Sequence, residues 1–449
     1  MFNSLNKIGV LALFKLKSSV FLSLLAIFLI GCGGGGNSSQ NDSNPKECNS
    51  TASNCHTVSF YDEDLSLIET QLVKEGQIDP SKLLSGVWYR ANENLQITSY
   101  TLTDNVSFYE APNVIEITDQ AELNAMRNKL DGRYVLLNDI ALDGSKKGFS
   151  SSEGWEPIGN AANPFTGILN AKHHVISGLW VKKPNADDIG LFGYTVNAKI
   201  KNLGVKTAEG KEVAGLSNIG VIVGHSYSSS IINSYSEGNL SGTGPSIAGI
   251  VGYSINNNIS NGYFKGNSNA GYTSGGIAGS ADGTTIINSY SLGSVKSNTT
   301  NAGGIVGWAK SGVMIKNSYS MASISGKQRT GGILGYAIAN SSVTLKNNAA
   351  VNPSITVVDS PNTNIHRIVG TIEATSYILS NNFALESMSV NGRTVSEGNE
   401  KDGKNKADIK FKQQSTYENE LGWGFGDDDE NPWKMDENGG YPYLYWEKR

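Results

Sequence analysis

Two stretches of the chain, GGIAGSADGTTIINSYS at residues 275–291 and GGIVGWAKSGVMIKNSYS at residues 303–320, repeat one pattern. The pattern recurs between Asp187 and Phe383, with glycines that close its first half at Gly193, Gly224, Gly252, Gly279, Gly307, Gly335 and Gly370. Successive closing glycines are 31, 28, 27, 28, 28 and 35 residues apart. A period near 28 residues is typical of a solenoid, in which each unit packs against its neighbours.

Each unit contains two segments with the period of a β-strand. An Ile or Leu stands two residues before each closing glycine, and an Ile or Leu stands two residues before an asparagine in the second half of the unit. These asparagines are Asn202, Asn233, Asn261, Asn288, Asn317, Asn347 and Asn381. Tyr or Phe follows two residues later in five of the seven units. Because strand side chains alternate, I-x-N-x-Y predicts that Ile, Asn and Tyr share one inward face.

The two segments predict an all-β fold, a right-handed parallel β-helix of about seven coils. Stacked strands about 4.8 Å apart complete their hydrogen bonds and join the isoleucine columns into a core. Buried asparagines could bond the amides of adjacent coils, so the seven asparagines are predicted to form a structural ladder. The glycines are interpreted as tight corners with positive φ.

The G-G-I-V-G and I-x-N-S-Y-S repeats resemble the GLUG motif of bacterial surface proteins. The stretch from Ile115 to Leu142 is similar to the usual lead-in of such solenoids, and GGYPYLYWE at residues 439–447 to their aromatic closing segment. The resemblance implies a cap with the first coils at 111–184, GLUG repeats at 185–388 and a C-terminal capping segment at 389–449. A capping box of Asp119 and Glu122 predicts a helix near residues 120–130.

The N-terminus has the order of a secretory signal. Three lysines precede an uncharged apolar run, which ends in Leu29-Ile30-Gly31-Cys32. This ending resembles the lipobox of bacterial lipoproteins, which implies that residues 1–31 are a cleaved signal peptide and that Cys32 carries the lipid anchor. An uncleaved apolar helix is the alternative. Gly33, where Asp would signal retention at the inner membrane, implies the outer membrane or the cell surface.

Two segments separate the signal from the solenoid. Residues 32–55 are predicted to be a flexible polar tether in which Cys48 and Cys55 form a disulfide, two free thiols being the alternative. Residues 56–110 alternate apolar and polar side chains, which predicts a small β-rich module. Its SFYDED and GVWYR stretches are similar to the β-grasp-like repeat domain of internalins and Listeria–Bacteroides surface proteins. The acidic runs at 62–64 and 427–430 are interpreted as solvated turns rather than metal sites.

Charge and composition exclude several classes of function. The formal net charge is −5, and loss of residues 1–31 with their three lysines takes it to −8. Lys and Arg form no dense cluster, which argues against a nucleic-acid partner. Three cysteines cannot build a disulfide-rich scaffold or a multi-cysteine zinc module. No metal site and no cofactor is predicted.

The sequence also argues against catalysis. Polysaccharide-cleaving β-helices need converging carboxylates, yet between Asn218 and Ala350 only Glu237 and Asp282 occur, at different places in their units. GLUG repeats accompany some IgA1-type zinc metallopeptidases, but none of the five histidines here is followed by Glu, as H-E-x-x-H requires. Carboxylates outside the coils, such as Asp139, are interpreted as capping and loop residues. The chain is therefore predicted not to be an enzyme and to have no catalytic residues.

These inferences predict a lipid-anchored, exported surface protein that displays a β-solenoid for non-enzymatic adhesion. Its expected partners are the membrane, through Cys32, and a host, matrix or glycan ligand. The tyrosines that follow the asparagines could stack sugar rings, but their parity with the isoleucines favours a buried position. Two alternatives remain open: a carbohydrate-active β-helix enzyme, lyase or hydrolase, and a structural lipoprotein that faces the periplasm.

Overall fold

The computed structural model describes Cys48 and residues 54–358, 364–395 and 399–447. The predicted signal peptide, Cys32 and most of the tether lie outside the described residues. Cys48 is disulfide-bonded to Cys55, with their Cα atoms 5.9 Å apart. Within the described ranges, no helix has the length and the apolar character needed to cross a membrane.

Residues 54–110 form a small β-rich module. Its three-stranded sheet has Cys55–Tyr61 in the centre, with Leu67–Lys74 antiparallel on one side and Val106–Tyr109 parallel on the other. A second sheet pairs Gly76–Ile78 with Tyr100–Leu102, and a short helix spans Pro80–Leu83. The core of the module is built on aromatic rings, as Phe60 meets Trp88 edge to face at 4.7 Å.

The module is docked on the first coils of the solenoid. Lys199 Nζ lies 2.5 Å from Asp64 Oδ2, and Lys201 Nζ donates to Ser66 Oγ at 2.6 Å. Asn170 Nδ2 donates to the carbonyl oxygen of Leu65 at 2.5 Å. Residues 62–64 do form a turn in which Glu63 is exposed and the Asp64 side chain is 48% exposed, but this turn also carries the contact between the module and the solenoid.

From residue 114 onwards the chain winds into a parallel β-solenoid of about seven turns, which confirms the predicted all-β solenoid fold. The first face, called the isoleucine sheet, has ten parallel strands. They are Val114–Ile117, Arg133–Leu136, Ile168–Asn170, Lys199–Lys201, Ser230–Ile232, Asn258–Ser260, Thr285–Ile287, Val313–Lys316, Ser342–Lys346 and Ser376–Ser380.

Three further sheets complete each turn. The tyrosine sheet follows the asparagines and contains Ile140–Ala141, Phe149–Ser150, Gly154–Trp155, Val175–Leu179, Val181–Lys182, Gly204–Thr207, Glu212–Gly215, Tyr235–Gly242, Tyr263–Ala270, Tyr290–Ser297, Tyr319–Ser320, Ser323–Gly326, Ala349–Ala350, Ser354–Val357, Phe383–Leu385, Ser389–Val390, Arg393–Thr394 and Lys404–Lys406. The corner sheet contains Ile219–Gly220, Ile247–Ala248, Thr273–Gly275, Asn301–Gly303, Thr330–Gly331 and Ile365–His366. The glycine sheet contains Phe192–Val196, Val223–Tyr227, Val251–Ile255, Ala278–Asp282, Val306–Ala309, Leu334–Ala337 and Val369–Ile372.

The asparagines occupy the corners between the isoleucine and tyrosine sheets. All seven have left-handed backbone conformations, with φ between 49° and 58°. A left-handed residue breaks the alternation of a strand, so the parity of the isoleucine does not continue beyond the asparagine. The residue after the tyrosine faces the interior instead, as the complete burial of Ser236, Phe264 and Ser291 shows. The prediction that the tyrosines face inward is wrong for this reason, although Tyr263, Tyr290 and Tyr319 are buried as expected.

The closing glycines serve close packing rather than positive φ. None of the seven is among the residues with positive φ, so their interpretation as left-handed corners is wrong. A Cβ on Gly252 would stand 2.4 Å from the carbonyl carbon of Asn218 in the preceding coil. Glycine is required there because two backbones meet where a side chain has no room.

A short helix precedes the first full coil. It spans Gln120–Ala125 and continues as a 3₁₀ turn at Met126–Asn128. Asp119 caps it by accepting hydrogen bonds from the backbone N–H groups of Ala121 and Glu122 at 2.8 and 2.9 Å. The Glu122 carboxylate accepts from the backbone N–H of Thr118, one residue before the cap.

The C-terminal part has two roles. Its first strand, Lys404–Lys406, pairs in parallel with Phe383–Leu385, and Lys401 O accepts the backbone N–H groups of Ile368 and Val369 in the last coil. The remainder contains a helix at Asp408–Phe411, a π-helical turn at Thr416–Glu420 and a hairpin of Trp433–Lys434 with Tyr443–Leu444. This remainder, called the flank segment and comprising residues 408–447, lies along the side of the solenoid instead of closing its end.

Candidate functional site

The asparagine side chains form a line of hydrogen bonds along the solenoid axis, with a break after Asn288, whose Oδ1 has no hydrogen-bond partner among the described residues. Each recorded bond joins Nδ2 of one asparagine to Oδ1 of the asparagine in the preceding coil. The pairs are Asn202 with Asn170 at 2.9 Å, Asn233 with Asn202 at 3.2 Å, Asn261 with Asn233 at 3.1 Å, Asn288 with Asn261 at 3.1 Å, Asn347 with Asn317 at 3.5 Å and Asn381 with Asn347 at 3.1 Å. Sequence reasoning missed Asn170 because it lies one position earlier in its coil than the repeat asparagines: Leu169 pairs with Ile200 and Asn170 with Lys201.

The tyrosines form a second line beside the asparagines. The rings of Tyr235, Tyr263, Tyr290 and Tyr319 stack at 4.7, 5.0 and 4.8 Å. The flank segment covers their outer edges with Trp423, Trp433 and Trp446. Because the ring faces contact one another and the edges are covered, the inner members of this line are closed to ligands.

The acidic run at 427–430 is part of this packing. Asp429 Oδ1 accepts from Asn233 Nδ2 at 2.7 Å and from the Tyr445 hydroxyl at 2.9 Å. Its carbonyl oxygen accepts from Asn261 Nδ2 at 3.2 Å. Residues 427–430 are all exposed, as a solvated turn requires, and Asp429 in addition fastens the flank segment to the asparagine line.

A cleft of about 190 Å³ opens where the flank segment ends over the first coils. Its walls come from three distant parts of the chain: the N-terminal coils, the strand that begins at Tyr235 and the end of the flank segment. The lining residues are Asp139, His173, Val175, Asn202, Leu203, Gly204, Lys206, Asn233, Tyr235, Glu237, Tyr263, Trp446 and Glu447. We call it the Trp446 cleft.

Three carboxylates reach the Trp446 cleft. Asp139 Oδ1 is held by His174 Nδ1 at 3.0 Å and by the backbone N–H of Val175 at 2.9 Å. Glu237 follows Tyr235 by two residues on the same strand face, and Lys206 Nζ lies 3.0 Å from its Oε2. Glu447 Oε1 accepts a hydrogen bond from the hydroxyl of Tyr290, one of the stacked tyrosines, at 2.9 Å.

Aromatic rings form the other walls. The Trp446 ring centroid lies 5.8 Å from that of His173 and 6.1 Å from that of Tyr235. Gly204 makes room for the tyrosine, since a Cβ there would stand 2.5 Å from its ring. Burial raises the pKa of Tyr235 to about 12, and the charges of the three carboxylates add to the rise. Its hydroxyl therefore stays protonated and can donate a hydrogen bond at neutral pH.

Of the site residues predicted from the sequence, some line this cleft and others lie elsewhere. Asn202 and Asn233 line it, and Cys48 with Cys55 lies in the module. Glu237 and Asp282 stand on different sheets, so these two do not meet. Asp139 and Glu447 join Glu237 from far along the chain, and sequence reasoning missed this grouping because no local spacing connects the three.

The cleft combines the groups that recognise a small polar ring. Carboxylates and amides can bond adjacent hydroxyls, while the indole of Trp446 offers an apolar surface. Its volume suits a single sugar ring. Among the described residues, no three His, Cys, Asp or Glu side chains lie close enough to hold a metal ion.

Known proteins resemble this chain in part. No protein-family model matches it. Halomucin of Haloquadratum walsbyi is 30% identical over 128 residues, which are 28% of this chain and 1% of halomucin. A protein of Evansella cellulosilytica, provisionally named a Gly-rich membrane protein, is 33% identical over 125 residues, covering 26% of this chain and 14% of that protein. The chain thus spans a small part of the curated relatives it matches.

Two solved structures are similar to part of this chain. One, from Bacteroides ovatus, is provisionally named an immunoglobulin A1 protease; it is 21% identical, covers 75% of this chain and 93% of its own, and has a TM-score of 0.49. The other, named IgA1 protease, is 13% identical, covers 70% of this chain and 23% of its own, and has a TM-score of 0.35. At these identities the likeness concerns the fold alone.

The prediction that the chain is not an enzyme is corrected here. Both solved structures carry the name of an enzyme, so the absence of catalysis is withdrawn as a conclusion. The carboxylate count behind that prediction covered the regular coils only; Asp139, which was interpreted as a capping or loop residue, and Glu447 share the Trp446 cleft with Glu237.

Proposed function

We propose that this protein is an exported surface lipoprotein, anchored through Cys32, that binds carbohydrate in the Trp446 cleft. The observation that carries the proposal is the grouping of Trp446, Tyr235 and three carboxylates around a space the size of one sugar ring. The lipobox-like ending at Cys32 supports the anchor, and one sequence relative is by its name a membrane protein. The GLUG resemblance points to the same bacterial surface setting.

Binding at the cleft is tested with the full chain and a panel of neutral mono- and oligosaccharides, by calorimetry. We expect Trp446→Ala and Glu237→Gln each to weaken the best ligand at least about tenfold, as the loss of one good contact does. Asp282→Asn, a carboxylate change on the glycine sheet, is the matched control and should bind as the wild type does. Unchanged affinity in both cleft variants would remove the proposal.

The anchor is tested separately. Cys32→Ser should release the protein from the membrane fraction and abolish metabolic labelling with palmitate, while Ser39→Ala, a nearby change in the tether, should do neither. A lipid-free protein that remains in the membrane fraction after Cys32→Ser would contradict the anchor. Protease added to intact cells then separates surface display from the alternative, a structural lipoprotein that faces the periplasm.

Hydrolysis or elimination of a glycan is a second candidate function. The convergence of Asp139, Glu237 and Glu447 favours it, because cleavage of glycosidic bonds uses paired carboxylates as acid and base or nucleophile. Incubation with polysaccharides should then yield new reducing ends or unsaturated products, and Glu237→Gln should abolish them even at substrate concentrations that saturate its weakened binding. Binding without any product, for every polysaccharide bound, would leave recognition as the function of the cleft.

A further inference from the structure

A second depression, of about 360 Å³, lies on the other side of each coil, where the corner and glycine sheets meet. It shares no lining residue with the Trp446 cleft. Pro245, Tyr272, Thr273, Thr300, Asn301, Trp308, Arg329 and Tyr336 line it. Trp308 and Tyr336 directly follow closing glycines, and their rings stack at 6.5 Å. Tyr272 stands at the rim with 51% of its surface exposed.

Two polar atoms at this depression are buried without a partner. Within the described part of the chain, neither the Trp308 indole N–H nor Asn301 Oδ1 makes a hydrogen bond. Asn301 is only 5% exposed. A buried donor or acceptor without a partner costs about 1–3 kcal/mol, which makes such atoms rare unless a ligand or water completes them. One donor and one acceptor here share a single depression.

The depression is also locally positive in a chain of net negative charge. The Arg329 guanidinium lies over the Tyr336 ring at 4.1 Å, and its nearest carboxylate, Glu373, is 3.6 Å away. Glu373 Oε1 is the ion-pair partner of this guanidinium, and Glu373 Oε2 accepts from the Tyr336 hydroxyl. Lys310 Nζ adds a second positive charge 4.9 Å from the Trp308 ring. A guanidinium is a planar fork of five N–H donors, so Arg329 can pair with a ligand carboxylate beside Glu373.

We propose that this depression binds an acidic sugar, a hexuronic acid residue of a glycan, whose carboxylate pairs with Arg329. The indole N–H of Trp308 and the amide oxygen of Asn301 take up ring hydroxyls, and Tyr272 covers the apolar face of the sugar. One arginine beside a single carboxylate suits a singly charged sugar better than a phosphate, because Glu373 remains close and repels a higher charge.

The test compares two oligosaccharides that differ at one residue, glucuronic acid in one and glucose in the other, titrated into the full chain. The wild type should bind the glucuronic acid form at least about tenfold more tightly. Arg329→Gln should abolish that preference, and Arg329→Lys should keep part of it, since the charge remains but the fork is lost. Trp308→Phe, which keeps a ring and removes the N–H, should weaken both ligands.

Matched controls separate this site from the Trp446 cleft. Lys265→Gln removes an exposed positive charge elsewhere and should leave the preference unchanged. Melting temperatures of all variants show whether the fold is kept. Equal affinity for the two oligosaccharides, or an Arg329→Gln variant that keeps the preference, would overturn the proposal. Loss of the preference in Glu237→Gln alone would place the acidic sugar in the cleft instead.

Discussion

An asparagine suits the corner of each coil because its amide and its backbone satisfy two demands together. Asn261 has a φ of 53°, a conformation that costs other L-residues roughly 1–2 kcal/mol but that asparagine adopts readily. Its side chain donates to Asn233 and accepts from Asn288, each at 3.1 Å. The corner therefore selects a residue that tolerates the turn and also bonds its neighbours.

The two contributions can be measured apart at this corner. Asn261→Gly keeps the left-handed backbone and loses the amide bonds, so we expect a loss of about 1–3 kcal/mol in the free energy of unfolding. Asn261→Ala loses the same bonds and adds backbone strain, so it should be about 1–2 kcal/mol less stable again. Urea denaturation gives both values. Equal stabilities for the two variants would show that the left-handed corner is not the reason for asparagine.

The repeats predicted which positions have a structural role but not the direction in which every side chain points. The isoleucines two residues before each asparagine were placed correctly, and Ile231 and Ile286 are at most 1% exposed. The tyrosines two residues after it were misplaced because strand parity was carried through a residue that is not in a strand. Asparagine tolerates the left-handed conformation, so the repeated asparagine was itself a signal for a turn at this position.

At the scale of elements, the flank segment is the largest departure from what the sequence predicted. Its aromatic residues resembled a closing segment, yet they pack lengthwise over the stacked tyrosines. Trp433 is fully buried, 4.6 Å from the Trp423 ring and 5.8 Å from that of Tyr319. Sequence alone gives no register for such packing, because the partner lies more than 100 residues away.

Removing one ring should show how firmly the flank segment is held. Trp433→Ala should lower the free energy of unfolding by about 3–5 kcal/mol, since it leaves a large cavity under the segment. Trp180→Ala, a half-buried tryptophan outside this interface, should cost less. The comparison uses thermal melts of the full chain. A smaller loss at Trp433 than at Trp180 would mean that the segment contributes little to the fold.

The element that covers the last coil depends on one buried carboxylate. Asp402 is 4% exposed. Burial alone would raise its pKa, but hydrogen bonds from His366 and from the backbone N–H of Arg367 outweigh burial and lower it. The stabilisation is therefore present above the ordinary pKa of about 4 and is lost as the pH falls through the lowered value.

Replacing Asp402 by a neutral residue should reproduce the loss of stability that protonation of its carboxylate causes at low pH. Asp402→Asn is expected to cost about 1.5–3 kcal/mol at neutral pH, the range for hydrogen bonds to a charged group, and to lose less further stability on acidification than the wild type. Urea unfolding at about pH 6 and about pH 3 measures both effects. If the variant and the wild type lose the same stability on acidification, the pH dependence of stability does not come from Asp402.

At the scale of the whole molecule, buried tyrosines set the alkaline limit of stability. Burial raises the pKa values of Tyr134, Tyr235 and Tyr336 to about 12. The unfolded chain releases these protons near pH 10, so stability should be full below about pH 10 and fall as the pH rises towards 12. Urea midpoints across this range test the prediction, and the double variant Tyr235→Phe with Tyr336→Phe should show a shallower fall. A flat stability up to about pH 12 would contradict it.

The architecture could be predicted from the sequence, and the cleft could not. Seven glycines and seven asparagines at one period specify a solenoid because each coil repeats the same local packing. The Trp446 cleft depends on Asp139, Glu237 and Glu447, which meet only because the flank segment returns along the solenoid. Periodicity carries no information about such a return, so the site had to come from the structure.

The return of the flank segment also determines where mechanical force would act. Trp446 lies beside His173 in the first coils, the same region on which the module docks through Asn170. The end of the flank segment contacts the coils from His173 to Tyr290, and its earlier part contacts Asn347 and Asn381. Tension applied between the module and the end of the flank segment would therefore load the first half of the solenoid before it reached the contacts at Asn347 and Asn381.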